Sequence, residues 1–112
     1  MKRGQYRLTA LARADLLEIW DYVASESGFP ARADRLVLKL RAACQAASEF
    51  PRMGRPEPQY APGLRIWREG AYLIAYLTDP NDDIDILRIL HGARDIAFLL
   101  APQDQPPETG SF

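Results

Sequence analysis

The feature that most constrains this chain is a pair of helical patterns separated by only a glycine and a phenylalanine. Apolar residues recur at i, i+3, i+4 and i+7 behind Thr9, which can cap the first helix. Gly28 ends that pattern, and Pro30 suits the first turn of a second helix, where its missing N–H costs nothing. A connection this short permits only an antiparallel helical hairpin. The predicted core residues are Ala12, Leu16, Ile19, Trp20 and Val23 in the first helix, and Leu36, Leu40, Ala43, Cys44 and Ala47 in the second, which ends at Pro51.

Candidate strands flank this hairpin on both sides. Residues 6–8 form one before it, and residues 64–68, 72–78 and 84–91 form three after an irregular, proline-rich connection at 51–63. Helices segregated on one face of a mainly antiparallel sheet make an α+β domain. We therefore predict one domain over residues 1–100, in the order strand, two-helix hairpin, three antiparallel strands. A short C-terminal helix is expected from Ala93 to Leu100, and a disordered tail over 101–112.

The predicted strands are apolar on both faces, although the helical hairpin can cover only one of them. Residues 72–77 contain no charged side chain, and strict alternation in the last strand would point Ile84, Ile86 and Leu90 one way and Leu87 and Ile89 the other. Two explanations remain open at this point. The proline-rich connection and residues 96–100 cover the second face, or a partner protein does.

Charge and composition exclude several classes of protein. The 112 residues carry a formal net charge of −1, which is low for a bulk nucleic-acid binder. No apolar run reaches the length of a membrane span and no signal peptide is recognisable, so a cytoplasmic location is expected. The single cysteine, Cys44, is interpreted as a small buried hydrophobe. The acidic residues Asp79, Asp82, Asp83 and Asp85 are interpreted as a solvated turn and not as a metal site, so neither a metal nor a cofactor is expected.

The candidate chemistry is concentrated at the end of the last strand. Arg88, His91, Arg94 and Asp95 lie within eight residues. His91 is either a general base or a turn residue, and Arg65 or Arg68 on a neighbouring strand could join Arg88 in a cationic face that grips carboxylate or phosphate. Alternatively, Arg88 or Arg94 pairs internally with Asp95, Asp15 or Asp21. Trp20 is assigned to the core, and Trp67, on a predicted edge strand, is a candidate interface anchor.

Several motifs resemble the ParE branch of the RelE/ParE toxins of bacterial type II toxin–antitoxin systems. The most specific are Pro51-Arg52-x-Gly54-Arg55, Leu64-Arg65 and His91-Gly92-Ala93-Arg94-Asp95. Similarity extends over residues 6–9, 12–16, 19–22, 50–55, 62–65, 72–76 and 89–95. The resemblance implies the same order of strands and helices that the periodicity predicts, and it implies an antitoxin as the partner of the apolar sheet.

The resemblance also implies two different activities. RelE-type toxins cleave mRNA on the ribosome with arginines, lysines and often a C-terminal tyrosine, whereas ParE-type toxins poison DNA gyrase without hydrolysis. The arginine that typically follows the hairpin tyrosine in the nucleases is Leu73 here, and the C-terminal tyrosine falls near Phe98, Leu99 or Leu100. Only Arg94 has an evident counterpart. A gyrase inhibitor that acts by binding is therefore the first expectation, and a RelE-like nuclease or an antitoxin-binding protein without toxicity are the alternatives.

The resemblance supplies the expected partners and sites. The partners are a ParD-like ribbon-helix-helix antitoxin and DNA gyrase, or the ribosome and mRNA in the alternative. Candidates for target binding are Arg88, His91, Arg94 and Asp95, and a nuclease would use Arg65, Arg88, His91 and Arg94. The outer faces of both helices are candidates for antitoxin binding, together with Trp67, Tyr72, Tyr76, Leu87 and Ile89.

Overall fold

Two helices pack on one face of a five-stranded mixed sheet in the computed structural model, which describes residues 4–92. The elements are β1 (Tyr6–Leu8), α1 (Ala10–Ser27), α2 (Pro30–Glu49), β2 (Arg55–Pro56), β3 (Arg65–Glu69), β4 (Tyr72–Thr78) and β5 (Ile84–His91). The sheet order is β1-β5-β4-β3-β2. The α+β class and the order of helices and main strands are confirmed. The predicted C-terminal helix and tail lie outside the described residues.

The sheet differs from the prediction at both edges. β1 pairs in parallel with β5, from Tyr6 opposite Ile84 to Leu8 opposite Ile86, so the sheet is mixed. β2 adds a two-residue strand within the segment that was predicted to be irregular, and it pairs antiparallel with β3. Neither edge could be read from local pattern, because strands this short gain their stability from their neighbours.

The ends of α1 follow the predicted capping. The Thr9 hydroxyl accepts a hydrogen bond from the Ala12 N–H at 3.1 Å. Gly28 adopts a left-handed conformation with φ 75°, and its N–H donates to the Ala24 carbonyl at 3.0 Å. The assignment of Trp20 to the core is wrong, since its ring is half-buried. Its indole N–H donates to the Asp34 carboxylate at 2.8 Å and joins the two helices across their seam.

The main core lies between the helices and the sheet. Its buried residues include most of those predicted in the helices, and β4 and β5 supply the opposite wall. Cys44 is fully buried there, and this burial raises the pKa of its thiol to about 12, so the group stays protonated. The core consists of Ala12, Leu16, Ile19, Leu40, Ala43, Cys44, Ala47, Ile74, Tyr76, Ile84, Ile86 and Ile89.

A β-bulge in β5 changes which residues face the helices. Tyr76 pairs with Ile86 and Ala75 pairs with Arg88, so Leu87 between them has no partner on β4. The extra residue reverses the alternation that follows it. The prediction that Leu90 shares a face with Ile84 and Ile86 is therefore wrong: Ile89 joins the main core, and Leu90 lies on the opposite face.

The second face of the sheet carries a small apolar cluster. Leu73 and Leu90 are buried there, with Tyr60 and Ile66 packed against them. Tyr60 belongs to the connection between β2 and β3. The proline-rich connection therefore covers part of this face, which agrees with the first of the two explanations above. Residues 96–100, the other predicted cover, lie outside the described part of the chain.

Asp15 on α1 joins the helical layer to the free edge of β5. Its carboxylate accepts hydrogen bonds from Arg88 Nε at 2.8 Å and Nη2 at 2.9 Å. It also accepts the backbone N–H of Ile89 at 2.9 Å. β1 covers β5 only as far as Ile86, so this carboxylate satisfies an edge donor that lacks a strand partner. The internal pairing of Arg88, one of the alternatives above, is thus confirmed with Asp15 as the partner.

The acidic turn between β4 and β5 is bound to β1 by Arg7. The Arg7 guanidinium contacts Asp79, and its Nε lies 2.8 Å from Asp85. Asp79 also accepts the backbone N–H groups of Asn81 at 2.8 Å and Asp83 at 3.0 Å, which shapes the turn. The bond from Arg7 holds the pKa of the Asp79 carboxyl below its ordinary value. Of the four acidic residues predicted to form a solvated turn, Asp82 is exposed, whereas Asp79, Asp83 and Asp85 are half-buried.

Neither helix of the described residues combines the length and hydropathy needed to cross a membrane. Residues 4–92 also contain no group of three or more His, Cys, Asp or Glu side chains placed to hold a metal ion.

Substitution Asp15→Asn is expected to lower the free energy of unfolding by roughly 2–4 kcal/mol, because it leaves a part-buried guanidinium without its carboxylate. Urea denaturation at neutral pH measures the change. Asp21→Asn, on the exposed side of the same helix, is the control and should change little. In a cycle with Arg88→Met, the double variant should lose less than the two single losses combined. Equal stability of the Asp15 and Asp21 variants would contradict this role.

The depressed pKa of Asp79 predicts acid sensitivity. A lowered folded-state pKa adds stability that is present above the unfolded-state value and is lost as the pH falls through the folded-state value. At about pH 6, Asp79→Asn should therefore be less stable than the wild type, and the difference should shrink as the pH falls below about 4. Denaturation midpoints across this range test it. Asp82→Asn, at the positive-φ tip of the same turn, is the matched control and should have the stability of the wild type at about pH 6.

Candidate functional site

The loop of residues 50–54 that follows α2 is held by side chains of β3 and β4. Arg65 Nη1 donates to the carbonyl oxygens of Arg52 at 3.1 Å and Gly54 at 2.7 Å. The Tyr76 hydroxyl donates to the Pro51 carbonyl at 2.7 Å and accepts the Gly54 N–H at 3.1 Å. Burial raises the pKa of Tyr76, which keeps its hydroxyl protonated as this donor. The loop backbone is therefore hydrogen-bonded to a side chain of β3, Arg65, and to a side chain of β4, Tyr76.

The close approach of Tyr76 explains the glycine of the Pro-Arg-x-Gly-Arg motif. A Cβ added to Gly54 would lie 2.8 Å from two carbon atoms of the Tyr76 ring, closer than real contacts allow. The ring is fully buried and forms part of the main core, so it cannot move aside without cost. Gly54, Arg65 and Tyr76 thus act together as a structural clamp on the 50–54 loop.

The side chains of this loop point away from the clamp. Phe50 is 60% exposed and Met53 is 71% exposed, and Arg52 between them is exposed as well. A concavity of about 500 Å³ lies beside them. Gly4 and Ser48 also line it, together with Asn81 and Asp82 of the acidic turn. Sequence reasoning missed this surface; the available signal was the pair of large apolar residues flanking Arg52 in a loop.

The predicted cationic face does not form among the described residues. Arg65 and Arg88 occupy neighbouring positions on either side of β4, opposite Tyr76 and Ala75. Their guanidinium groups are engaged separately, however: that of Arg65 binds the 50–54 loop, and that of Arg88 binds Asp15 on α1. Arg68 is exposed on β3. Arg94 and Asp95, the other half of the predicted cluster, lie outside the described residues.

His91 ends β5 opposite Tyr72. The two rings meet edge to face, with centroids 5.3 Å apart and an interplanar angle of 87°. His91 is half-buried at the position where Gly92 donates its N–H to the Ala71 carbonyl at 2.7 Å. His91 therefore packs at the end of a hairpin, and its role as a turn residue or as a general base stays a prediction.

The residues predicted to contact an antitoxin separate into two groups. Tyr76 is 0% exposed and Ile89 is 2% exposed, so both belong to the core and offer no surface to a partner in this structure. That part of the prediction is corrected, because the bulge at Leu87 turns Ile89 inward and the clamp buries Tyr76. Trp67, Tyr72 and Leu87 are half-buried and remain candidates. The outer helix faces display Leu11 and Leu17 on α1 and Leu38 on α2, each more than half exposed.

Comparison with known proteins gives a consistent result. Residues 6–96 match the family described as ParE toxin of type II toxin-antitoxin system, parDE. Toxin ParE1 of Mycobacterium tuberculosis is 32% identical over 93 residues, covering 83% of this chain and 94% of that protein. Toxin ParE1 of Caulobacter vibrioides is 33% identical over 86 residues, covering 77% of this chain and 86% of that protein.

Solved structures share the fold. A chain of the chromosomal ParDE system from P. aeruginosa superposes with a TM-score of 0.66 at 22% identity, covering 79% of this chain and 95% of that one. A chain of the toxin–antitoxin complex RelBE2 from Mycobacterium tuberculosis gives 0.61 at 23% identity, covering 81% and 93%. At these identities the structures show the α+β RelE/ParE-like fold alone. The family match and the identity to curated toxins, however, extend over most of the chain, which therefore belongs to the ParE toxin family of type II toxin–antitoxin systems.

Proposed function

We propose that this toxin inhibits DNA gyrase by binding to it, in the cytoplasm, and that a ParD-like ribbon-helix-helix antitoxin neutralises it. Neither a metal nor a cofactor takes part in this proposal. The observation that carries it is that Arg65 and Arg88, two of the arginines a nuclease would use, are engaged within the fold. Arg88 neutralises Asp15 at the sheet edge, and Arg65 holds the 50–54 loop.

Binding is favoured over catalysis because phosphate chemistry needs charged groups directed at the reacting oxygens. Arg65 and Arg88 are directed at protein atoms, and His91 packs against Tyr72. Leu73, which occupies the position of an arginine in the nucleases it resembles, is buried on the second face of the sheet. Each missing acid, base or charge-stabilising group removes roughly 10²–10⁴-fold in rate, so a RelE-like reaction would be slow here.

The outer helix faces support the proposed antitoxin partner. Leu11 and Leu17 on α1 and Leu38 on α2 leave large apolar side chains in water. An amphipathic helix that docks along such a face would bury them. Two similar structures are those of a chromosomal ParDE system and of the toxin–antitoxin complex RelBE2, which is consistent with a partner of this kind.

A gyrase supercoiling reaction tests the proposed target. Purified toxin should inhibit supercoiling in proportion to its concentration, and an equimolar amount of the cognate antitoxin should restore it. Translating ribosomes with a defined message provide the parallel reaction. Cleavage of the message without inhibition of gyrase would favour the nuclease alternative over this proposal. Inactivity in both reactions, with antitoxin binding intact, would favour a protein that has lost its toxicity.

The paired variant Leu17→Ser with Leu38→Ser tests the antitoxin surface. Loss of two apolar anchors should weaken antitoxin binding by roughly tenfold or more, since buried anchors contribute about 1 kcal/mol or more each. Calorimetric titration of antitoxin into each variant measures it. Phe29→Ala, at the tip of the helical hairpin, is the control and should bind as the wild type does. Unchanged affinity of the paired variant would place the antitoxin elsewhere on the toxin.

A further inference from the structure

Hydrogen bonds within the protein hold the backbone of the 50–54 loop in place without a partner. In addition to the clamp from Arg65 and Tyr76, the Phe50 N–H donates to the Ala46 carbonyl at 3.0 Å and the Met53 N–H donates to the Phe50 carbonyl at 2.9 Å. Most backbone polar groups of the loop are thus used within the protein, and the exposed side chains are the part presented to solvent. A preorganised loop loses little conformational entropy when it binds.

The side chains presented here have the composition of an interface centre. Phe50 and Met53 are the apolar members, and Arg52 and Arg55 are the cationic ones. We call these four residues the Phe50 corner. Aromatic residues, Met and Arg are enriched at the buried centres of protein–protein interfaces. Such a cluster on a rigid loop resembles the anchors that dominate binding energy.

Both arginines of the Phe50 corner are available to a partner. Within residues 4–92 the ion pairs formed by arginine involve Arg7 and Arg88, and neither Arg52 nor Arg55 takes part in one. Arg65 uses the backbone carbonyl of Arg52, which leaves the Arg52 guanidinium exposed. A guanidinium at the rim of an apolar contact pairs best with a carboxylate of the partner, in a bidentate geometry.

We propose that the Phe50 corner is the surface through which the toxin binds its protein target. The occupant is a folded protein surface with an apolar pocket that receives Phe50 and Met53, bordered by carboxylates that pair with Arg52 and Arg55. A side chain of the target enters the neighbouring concavity of about 500 Å³. This inference rests on the proposed function, in which toxicity comes from binding to a protein such as gyrase.

The shape of the surface distinguishes this target from the antitoxin. A small rigid projection complements a pocket that already exists in a folded partner, because neither side must reorganise. The exposed leucines of α1 and α2 instead line two long helices, which suit a segment that folds as it binds. The two surfaces involve different residues, so substitutions at one should leave binding at the other intact.

The decisive experiment uses a double variant that carries both Phe50→Ala and Met53→Ala. The control is the single variant Phe29→Ala. Phe29 is 61% exposed, which matches Phe50, but it lies at the far end of α2 from the loop. The double variant should require roughly tenfold or more toxin for the same inhibition of supercoiling, while antitoxin affinity and the thermal unfolding midpoint stay at wild-type values. Phe29→Ala should match the wild type in all three measurements.

Charge reversal provides a second, independent variant. Arg52→Glu with Arg55→Glu leaves the clamp intact, since Arg65 binds the carbonyl of residue 52 and not its side chain. Inhibition should fall by roughly tenfold or more, and it should depend less on salt concentration than inhibition by the wild type does. Antitoxin affinity should stay unchanged.

Three outcomes would overturn the Phe50 corner as the target surface: wild-type inhibition by both variants, a parallel loss of antitoxin binding, or an equal loss in Phe29→Ala. A wild-type toxin that fails to inhibit gyrase overturns the proposed function instead. In that case growth arrest after induction of each variant in cells, relieved by co-expressed antitoxin, gives a readout that does not depend on the identity of the target. Undiminished arrest by both corner variants would then overturn the inference itself.

Discussion

The Asp15 carboxylate is the point on which the arrangement of helices and sheet depends. β1 is three residues long, so the outer edge of β5 continues past its partner and would expose backbone donors there. α1 begins at this edge, where the Thr9 N–H donates to the Ile86 carbonyl at 3.1 Å. Farther along α1, Asp15 accepts the Ile89 N–H and hydrogen bonds from Nε and Nη2 of Arg88. A side chain of α1 thus accepts the backbone N–H of β5 that β1 is too short to pair with.

Residues that look catalytic in the sequence are largely used to hold the fold together. Arg65 could have been a phosphate ligand, but it supports the 50–54 loop through two carbonyl oxygens. Arg88 could have been its neighbour in a cationic face, but it neutralises a nearly buried carboxylate. The glycine of the Pro-Arg-x-Gly-Arg motif is accordingly explained by structure: Gly54 must be small because the Tyr76 ring lies against it.

The contacts that stabilise the fold also determine which side chains stay exposed and can bind a partner. Because the clamp of Arg65 and Tyr76 uses the backbone of the 50–54 loop, Phe50 and Met53 are left in water at fixed positions. Because the hairpin of α1 and α2 buries one side of each helix, Leu17 and Leu38 are left on the other. A toxin that acts by binding needs surfaces of this kind, and it needs no reactive group among them.

The sequence by itself determined the helical hairpin, the main strands and the candidate ends of each, because caps, turns and apolar periodicity are local signals. Thr9, Gly28 and Pro30 act at the positions where their chemistry predicts. Only the tertiary structure decided the faces of β5, where one extra residue at Leu87 turns Ile89 toward the helices and Leu90 away from them. It also showed that Asp15 pairs with Arg88 and that Tyr76 is a core residue. Each of these depends on contacts between residues distant in sequence, whose geometry no local pattern contains.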